Sequence, residues 1–153
     1  DDASWGGWFD RTVRDSGAIM VGGGASPLSG RTPRAYYTGG GSCYGSRVDV
    51  QGWYDHIVSA TTSEFTPDLY HPDSDTRQAY TTAFGGTSGA SPMVAGAAAI
   101  VQSVAIAVHG QPLDPFDLRA LMVSTGTPQP EGDPYHIGPQ PDVRRMLRVG
   151  MLP

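Results

Sequence analysis

The sequence predicts an α/β layered fold with a mostly parallel sheet, and three observations carry that expectation. The run GAIMVGGGA at 17–25 is apolar and closed by glycines, the pattern of a strand buried on both faces in a parallel sheet. A stretch of small and apolar residues from 88 to 108 has helical spacing. Strand-like segments come early and helical ones late, as in part of a sheet covered by helices. A chain of 153 residues is about one domain's worth and long enough to bury a core.

The chain opens DDASWGGWFD, with neither an initiator Met nor an apolar signal segment, so a processed end is expected there. Trp5, Trp8 and Phe9 suit aromatic packing better than a substrate pocket. Ile19, Met20 and Val21 form the centre of the first strand. The following SPLSGRTPRAYYTGGGS, 26–42, is rich in turn formers and reads as loop. Cys43 is the only cysteine, which excludes an intrachain disulfide and is expected to be a buried free thiol. SRVDVQG, 46–52, alternates Val48 and Val50 with polar neighbours as a second strand does, and HIVSATT, 56–62, suits a shorter third.

In the helix at 88–108, Val94, Ala98, Val101, Ala105 and Val108 share one face, and the opposite face is Gly, Ala and Ile. A helix apolar all round is expected to be buried. Pro92 is expected near the first turn, where a missing N–H costs little. Asp114 resembles an N-cap, with Pro115 at the first helical position, Leu118, Leu121 and Met122 facing inward, and Gly126 as the stop. A last short helix follows Pro141, with Val143, Met146 and Leu147 on one side.

Hydrophobic residues make up 39% of the chain and charged ones 16%, the balance of a globular protein. The net charge of −5 is spread along the chain without a basic stripe, which argues against nucleic acid as a partner. The longest apolar run, 93–108, is interrupted by Gln102 and Ser103, so no membrane span is expected. All ten basic residues are Arg, and there is no Lys and no Asn, a bias expected of a GC-rich, bacterial source.

GGTSGASP places Ser88 where a glycine segment meets a helix N-terminus. Gly85 and Gly86 admit backbone conformations closed to other residues and let a substrate approach. The helix start aims unpaired N–H groups and a partial positive charge at the serine, which is what a developing oxyanion needs. The plain alternative is that Ser88 only caps the helix.

GTSGASPMVAG resembles the active-serine motif of the subtilisin-like serine peptidases, the subtilases, at Gly86, Thr87, Ser88, Ala90 and Pro92. DSGAIMVGGGAS, YGSRVDVQGW and PLDPFDLRALMVSTGTPQ resemble further segments of that family in the family's order, so that roughly residues 15–148 match the C-terminal part of its catalytic domain. The resemblance implies the C-terminal portion of a three-layer α/β fold, incomplete without a partner chain, with all of 1–153 belonging to the serine-bearing half of one domain. It implies a serine endopeptidase acting on peptides or proteins, with Ser88 as nucleophile and its backbone N–H as one oxyanion donor. It also implies that Thr87 assists through its hydroxyl and that Gly86 and Gly85 lie on the substrate side. The chain departs from the family in two places. Phe84 and Gly85 stand where an Asn is usual, and Gly89 replaces the Met that often follows the serine, altering one wall of the leaving-group side. Secretion is expected on family grounds alone.

The family's acid and base precede its serine by most of a sheet, whereas His56 and His71 precede Ser88 by only 32 and 17 residues. Both read as ordinary polar histidines. The family's side-chain oxyanion donor is an Asn, and this chain has none. The acid, the base and that donor are therefore expected on an N-terminal chain of the same precursor, cut at a surface loop near DDAS and held non-covalently. No cofactor is expected. Glu64, Asp68, His71, Asp73 and Asp75 gather at 63–75, but no calcium motif fits them and a solvated loop is the expectation, although many subtilases bind calcium. Two alternatives stand beside this. GTSGA is close to the G-x-S-x-G elbow of α/β-hydrolases, which makes an esterase of Ser88, one of Asp114, Asp117 or Asp133, and His136. The other is a pseudopeptidase that binds peptides without cutting them.

Overall fold

The computed structural model describes residues 6–8, 10–38, 41–62, 69 and 76–150. Among these residues, four short strands precede three α-helices: β1 (Val21–Gly24), β2 (Val50–Trp53), β3 (Ile57–Ala60), β4 (Tyr80–Phe84), α1 (Thr87–His109), α2 (Pro115–Thr125) and α3 (Val143–Gly150). β1 and β2 pair in parallel, Val21 opposite Val50 through Gly24 opposite Trp53. The glycines of β1 make room for larger neighbours: Ile137 fills the space beside Gly22, and Tyr54 that beside Gly23. The expected third strand lies outside this pair. β3 joins β4, a strand that local pattern did not suggest, in an antiparallel hairpin with Ile57 opposite Phe84 and an irregularity between Ile57 and Ser59.

α1 packs against β1 and β2, α3 packs against α1, and α2 packs against α3. Val50, Val94, Val101, Ala105, Leu118, Met122 and Met146 form that core, with Leu121, Val143 and Leu147 packed against it. Each fully buried Val, Leu or Met stabilises by about 1.5–3 kcal/mol, which suffices to order these short elements around one cluster. α2 begins and ends as its sequence indicates. The Asp114 carboxylate accepts from Phe116 N–H at 2.8 Å, Pro115 is the first helical residue, and Gly126 N–H donates to Met122 C=O.

α1 differs from expectation in three respects. It is buried on one face only: Ile100 (51%), Ile106 (51%) and Val108 (52%) are exposed. By length and composition it is also apolar enough to cross a membrane, despite Gln102 and Ser103; a helix built for the inside of a layered fold has the same composition. Finally, Pro92 is the sixth helical residue, so its missing N–H leaves the Ser88 carbonyl without the usual i+4 donor. Cys43 is exposed and not buried. Trp8 is exposed too, with Arg14 over its ring at 4.5 Å, while Trp5 and Phe9 lie outside the described residues.

Two ion-pair centres tie distant segments to this frame. The buried Asp49 carboxylate accepts from Met20 N–H at 2.7 Å and is flanked by Arg11 and Arg47. Asp15 pairs with Arg119 of α2 (Nη1 to Oδ1 2.8 Å). The Arg119 hydrogen bonds, helped by Gly17 N–H, hold the Asp15 carboxyl far below the usual carboxylate range.

Candidate active site

Gly86 is the N-cap of α1, at φ 76° and ψ −179°, a conformation that is essentially glycine's alone. Its N–H donates to Tyr54 C=O at 2.6 Å and so fastens the turn to the segment between β2 and β3. A side chain at Gly85 would collide with that same Tyr54 carbonyl, and one at Gly52 would sit 2.5 Å from Ala90 C=O. The glycines thus allow the sheet to press against the start of the helix.

The Gly86 carbonyl accepts from both Gly89 N–H (3.0 Å) and Ala90 N–H (3.2 Å). Thr87 N–H and Ser88 N–H precede the first helical donors and find no backbone acceptor among the described residues. Ser88 is the second helical residue and is exposed. It is not the N-cap, so the plain capping role does not apply. Its N–H and hydroxyl sit together at the positive end of a 23-residue helix, an arrangement able both to attack a carbonyl and to hold the resulting oxyanion.

Thr87 is half-buried and, with Ser91, Val94 and Ala98 of α1, lines a hollow of about 650 Å³ facing Ile19 and Val21. On this side of β1, Gly23 is paired by Tyr37 N–H and by the Ser42 hydroxyl. The N–H and C=O of Val21 point away from β2 and meet no partner among the described residues. Sequence reasoning had no signal for this open strand edge.

His56 lies in the segment that holds Gly86, with its backbone at φ 54°. Its Nδ1 is 3.1 Å from Asp55 Oδ2 and 3.5 Å from the Ser26 hydroxyl. Both partners meet the same nitrogen, whereas a catalytic relay needs acid and serine on opposite nitrogens. Asp55 also accepts from Ser26 N–H at 2.9 Å, so the trio fixes a turn. His136 Nε2 lies 3.2 Å from Val48 C=O. Asp133 accepts from Tyr36 N–H (2.7 Å) and Tyr135 N–H (3.0 Å). Burial raises the Asp133 carboxyl, but these bonds and one from Gln129 more than offset it and leave the group below its usual range. Asp114 caps α2, and Asp117 is exposed in the first turn of that helix. His136, Asp114 and Asp133 are engaged elsewhere, Asp117 is exposed on α2, and none of them is paired with Ser88 as the esterase alternative requires. His71 and the acidic stretch 63–68 and 70–75 lie outside the described residues; among those described, no group of three or more His, Cys, Asp or Glu is arranged to hold a metal ion.

The model of the subtilase family matches residues 17–139. Two solved structures are similar. The patellamide maturation protease PatA superposes with a TM-score of 0.59 at 18% identity, covering 88% of this chain and 43% of that one. The prenylagaramide maturation protease PagA gives 0.54 at 17% identity, covering 89% of this chain and 43% of that one. The likeness to both is one of fold, and this chain spans less than half the length of either. No curated protein sequence matches significantly.

Proposed function

This chain belongs to the subtilase family, and from that premise we propose that it is the nucleophile-bearing part of a serine endopeptidase. The observation that carries the proposal is the placement of Ser88, with its hydroxyl exposed and its N–H unpaired at the glycine-capped start of α1. Ser88 Oγ bonds to the scissile carbonyl carbon while its proton passes to a base. The carbonyl oxygen becomes an oxyanion facing Ser88 N–H and the Thr87 hydroxyl. The C–N bond then breaks as the base returns the proton to the leaving amine, and water hydrolyses the acyl-enzyme to restore Ser88. Gly86, with nothing nearer than Ser88 N at 3.8 Å to a side chain placed there, leaves room for the substrate backbone beside this turn, whereas the space beside Gly85 is taken by the Tyr54 carbonyl and not by substrate.

The base, the acid and an Asn donor come from an N-terminal chain of the same precursor. Neither His56 nor His136 has its ring nitrogens placed for the relay, and the chain contains no Asn. The open apolar face of α1 and the unpaired edge at Val21 are surfaces such a chain would cover. The 43% share of the similar structures fits the same division.

Peptide hydrolysis by the full-length protein tests the proposal. Ser88→Ala is expected to lower kcat by about 10⁶-fold, as loss of an acyl-forming nucleophile does. Hydrolysis that survives Ser88→Ala rules Ser88 out as the nucleophile. A wild-type protein that binds peptides without cleaving them would favour the pseudopeptidase.

A further inference from the structure

We propose that Ile57 is a specificity-determining residue, filling the place beside Ser88 where a side chain on residue 89 would otherwise stand. The proposal rests on Ser88 being the nucleophile. Gly89 follows Ser88 and is buried. A Cβ added to Gly89 would run into Ile57 Cδ1 and would lie 3.5 Å from the Phe84 ring carbons Cδ1 and Cε1. Ile57 opens β3 and is paired with Phe84, the last residue of β4. Phe84 is 39% exposed and leads directly into Gly85, Gly86, Thr87 and Ser88. The wall next to the nucleophile is therefore two apolar side chains from a hairpin rather than one side chain from the helix.

Two features make this wall a determinant of fit. The Gly86 N–H to Tyr54 C=O bond of 2.6 Å ties the nucleophile turn to the segment leading into β3, so the two hold a fixed spacing. The tip of Ile57 is the far end of a flexible side chain, so residues 57 and 89 compete for one volume. A substrate with its carbonyl carbon on Ser88 Oγ must set a flanking residue against this surface. We assign that residue to the leaving-group side, where it would meet the Ile57 side chain and the Phe84 ring. Shortening Ile57 to Ala removes three carbons from the wall and admits a larger leaving group.

The test uses the full-length protein with whatever chain co-purifies. A peptide ester forms the acyl-enzyme, which is partitioned between water and added glycinamide or phenylalaninamide. In the amide branch the amine nitrogen bonds to the acyl carbon, the Ser88 ester C–O bond breaks, and Ser88 Oγ regains a proton. Ile57→Ala is expected to raise the phenylalaninamide-to-glycinamide ratio about tenfold, the order that one or two methylenes command in an apolar pocket. Ile57→Val should raise it less. Gly89→Ala should lower it, and Ile57→Val added to Gly89→Ala should restore it. If Ile57→Ala does not fold, the Ile57→Val and Gly89→Ala pair decides the matter alone. A ratio unchanged in the Ile57 variants, with ester turnover retained, overturns the proposal, as does a change confined to acyl-side preference. A wild-type protein that forms no acyl-enzyme and takes no fluorophosphonate on Ser88 defeats the nucleophile assignment itself, and Ile57 falls with it.

Discussion

Replacing Gly86 by Ala separates the backbone of the turn before Ser88 from its packing. A Cβ at this position would meet nothing nearer than Ser88 N at 3.8 Å, so the substitution introduces no clash. Its cost comes from the backbone, held at φ 76° and ψ −179°, and is about 1–3 kcal/mol for a residue with a side chain. At about 2–4 °C per kcal/mol for a chain of this size, Tm should fall by about 2–12 °C if the conformation is kept. If the turn relaxes instead, Gly86 N–H leaves Tyr54 C=O, its carbonyl leaves Gly89 and Ala90 N–H, and the Ser88 N–H swings off its line. Losing one oxyanion donor costs about 10²–10³ in rate, so the second-order rate of fluorophosphonate labelling would then fall, with a Tm loss smaller than the strained turn would give. Thermal melts and labelling kinetics on the same purified protein report both. A Gly86→Ala variant that keeps both its Tm and its labelling rate would refute the claim that this turn sets the geometry of Ser88.

Asp114→Ala should cost about 1 kcal/mol by removing the cap of α2, lowering Tm by a few degrees without changing Ser88 labelling. Asp15 is held ionised by Arg119, and its carboxyl lies below the unfolded value of about 3.9. Its contribution is therefore complete above about pH 4 and is lost as pH falls toward the folded value. Asp15→Asn should accordingly flatten the acid side of a Tm-against-pH curve, and two curves of equal slope below pH 4 would contradict the pairing. His56→Ala and His136→Ala should each leave labelling within about twofold of wild type, because neither ring is paired with Ser88; a loss of about 10²-fold or more in either would place the base inside this chain.

What was legible in the sequence was local. Asp114, Pro115 and Gly126 announce α2 because capping chemistry acts within one turn, and each plays the expected role. The Gly-Thr-Ser turn was legible for the same reason, although the cap is Gly86, chosen for its backbone, and not Ser88. Contacts across long separations were not legible. β4 is a strand because it pairs with 57–60, and the Asp15–Arg119 pair joins residues 104 apart. The Ile57 tip beside Gly89 depends on that same hairpin. The exposure of Ile100, Ile106 and Val108 was hidden for another reason: periodicity reports that a helix face is apolar, not whether its cover lies within the same chain.

The most direct test is the intact mass of the purified full-length protein after treatment with a fluorophosphonate probe, followed by mapping of the adduct. One adduct is expected on this chain, at Ser88, in material that also contains an N-terminal chain supplying acid and base. An adduct at another residue, or efficient labelling of Ser88 with these 153 residues alone, would contradict it.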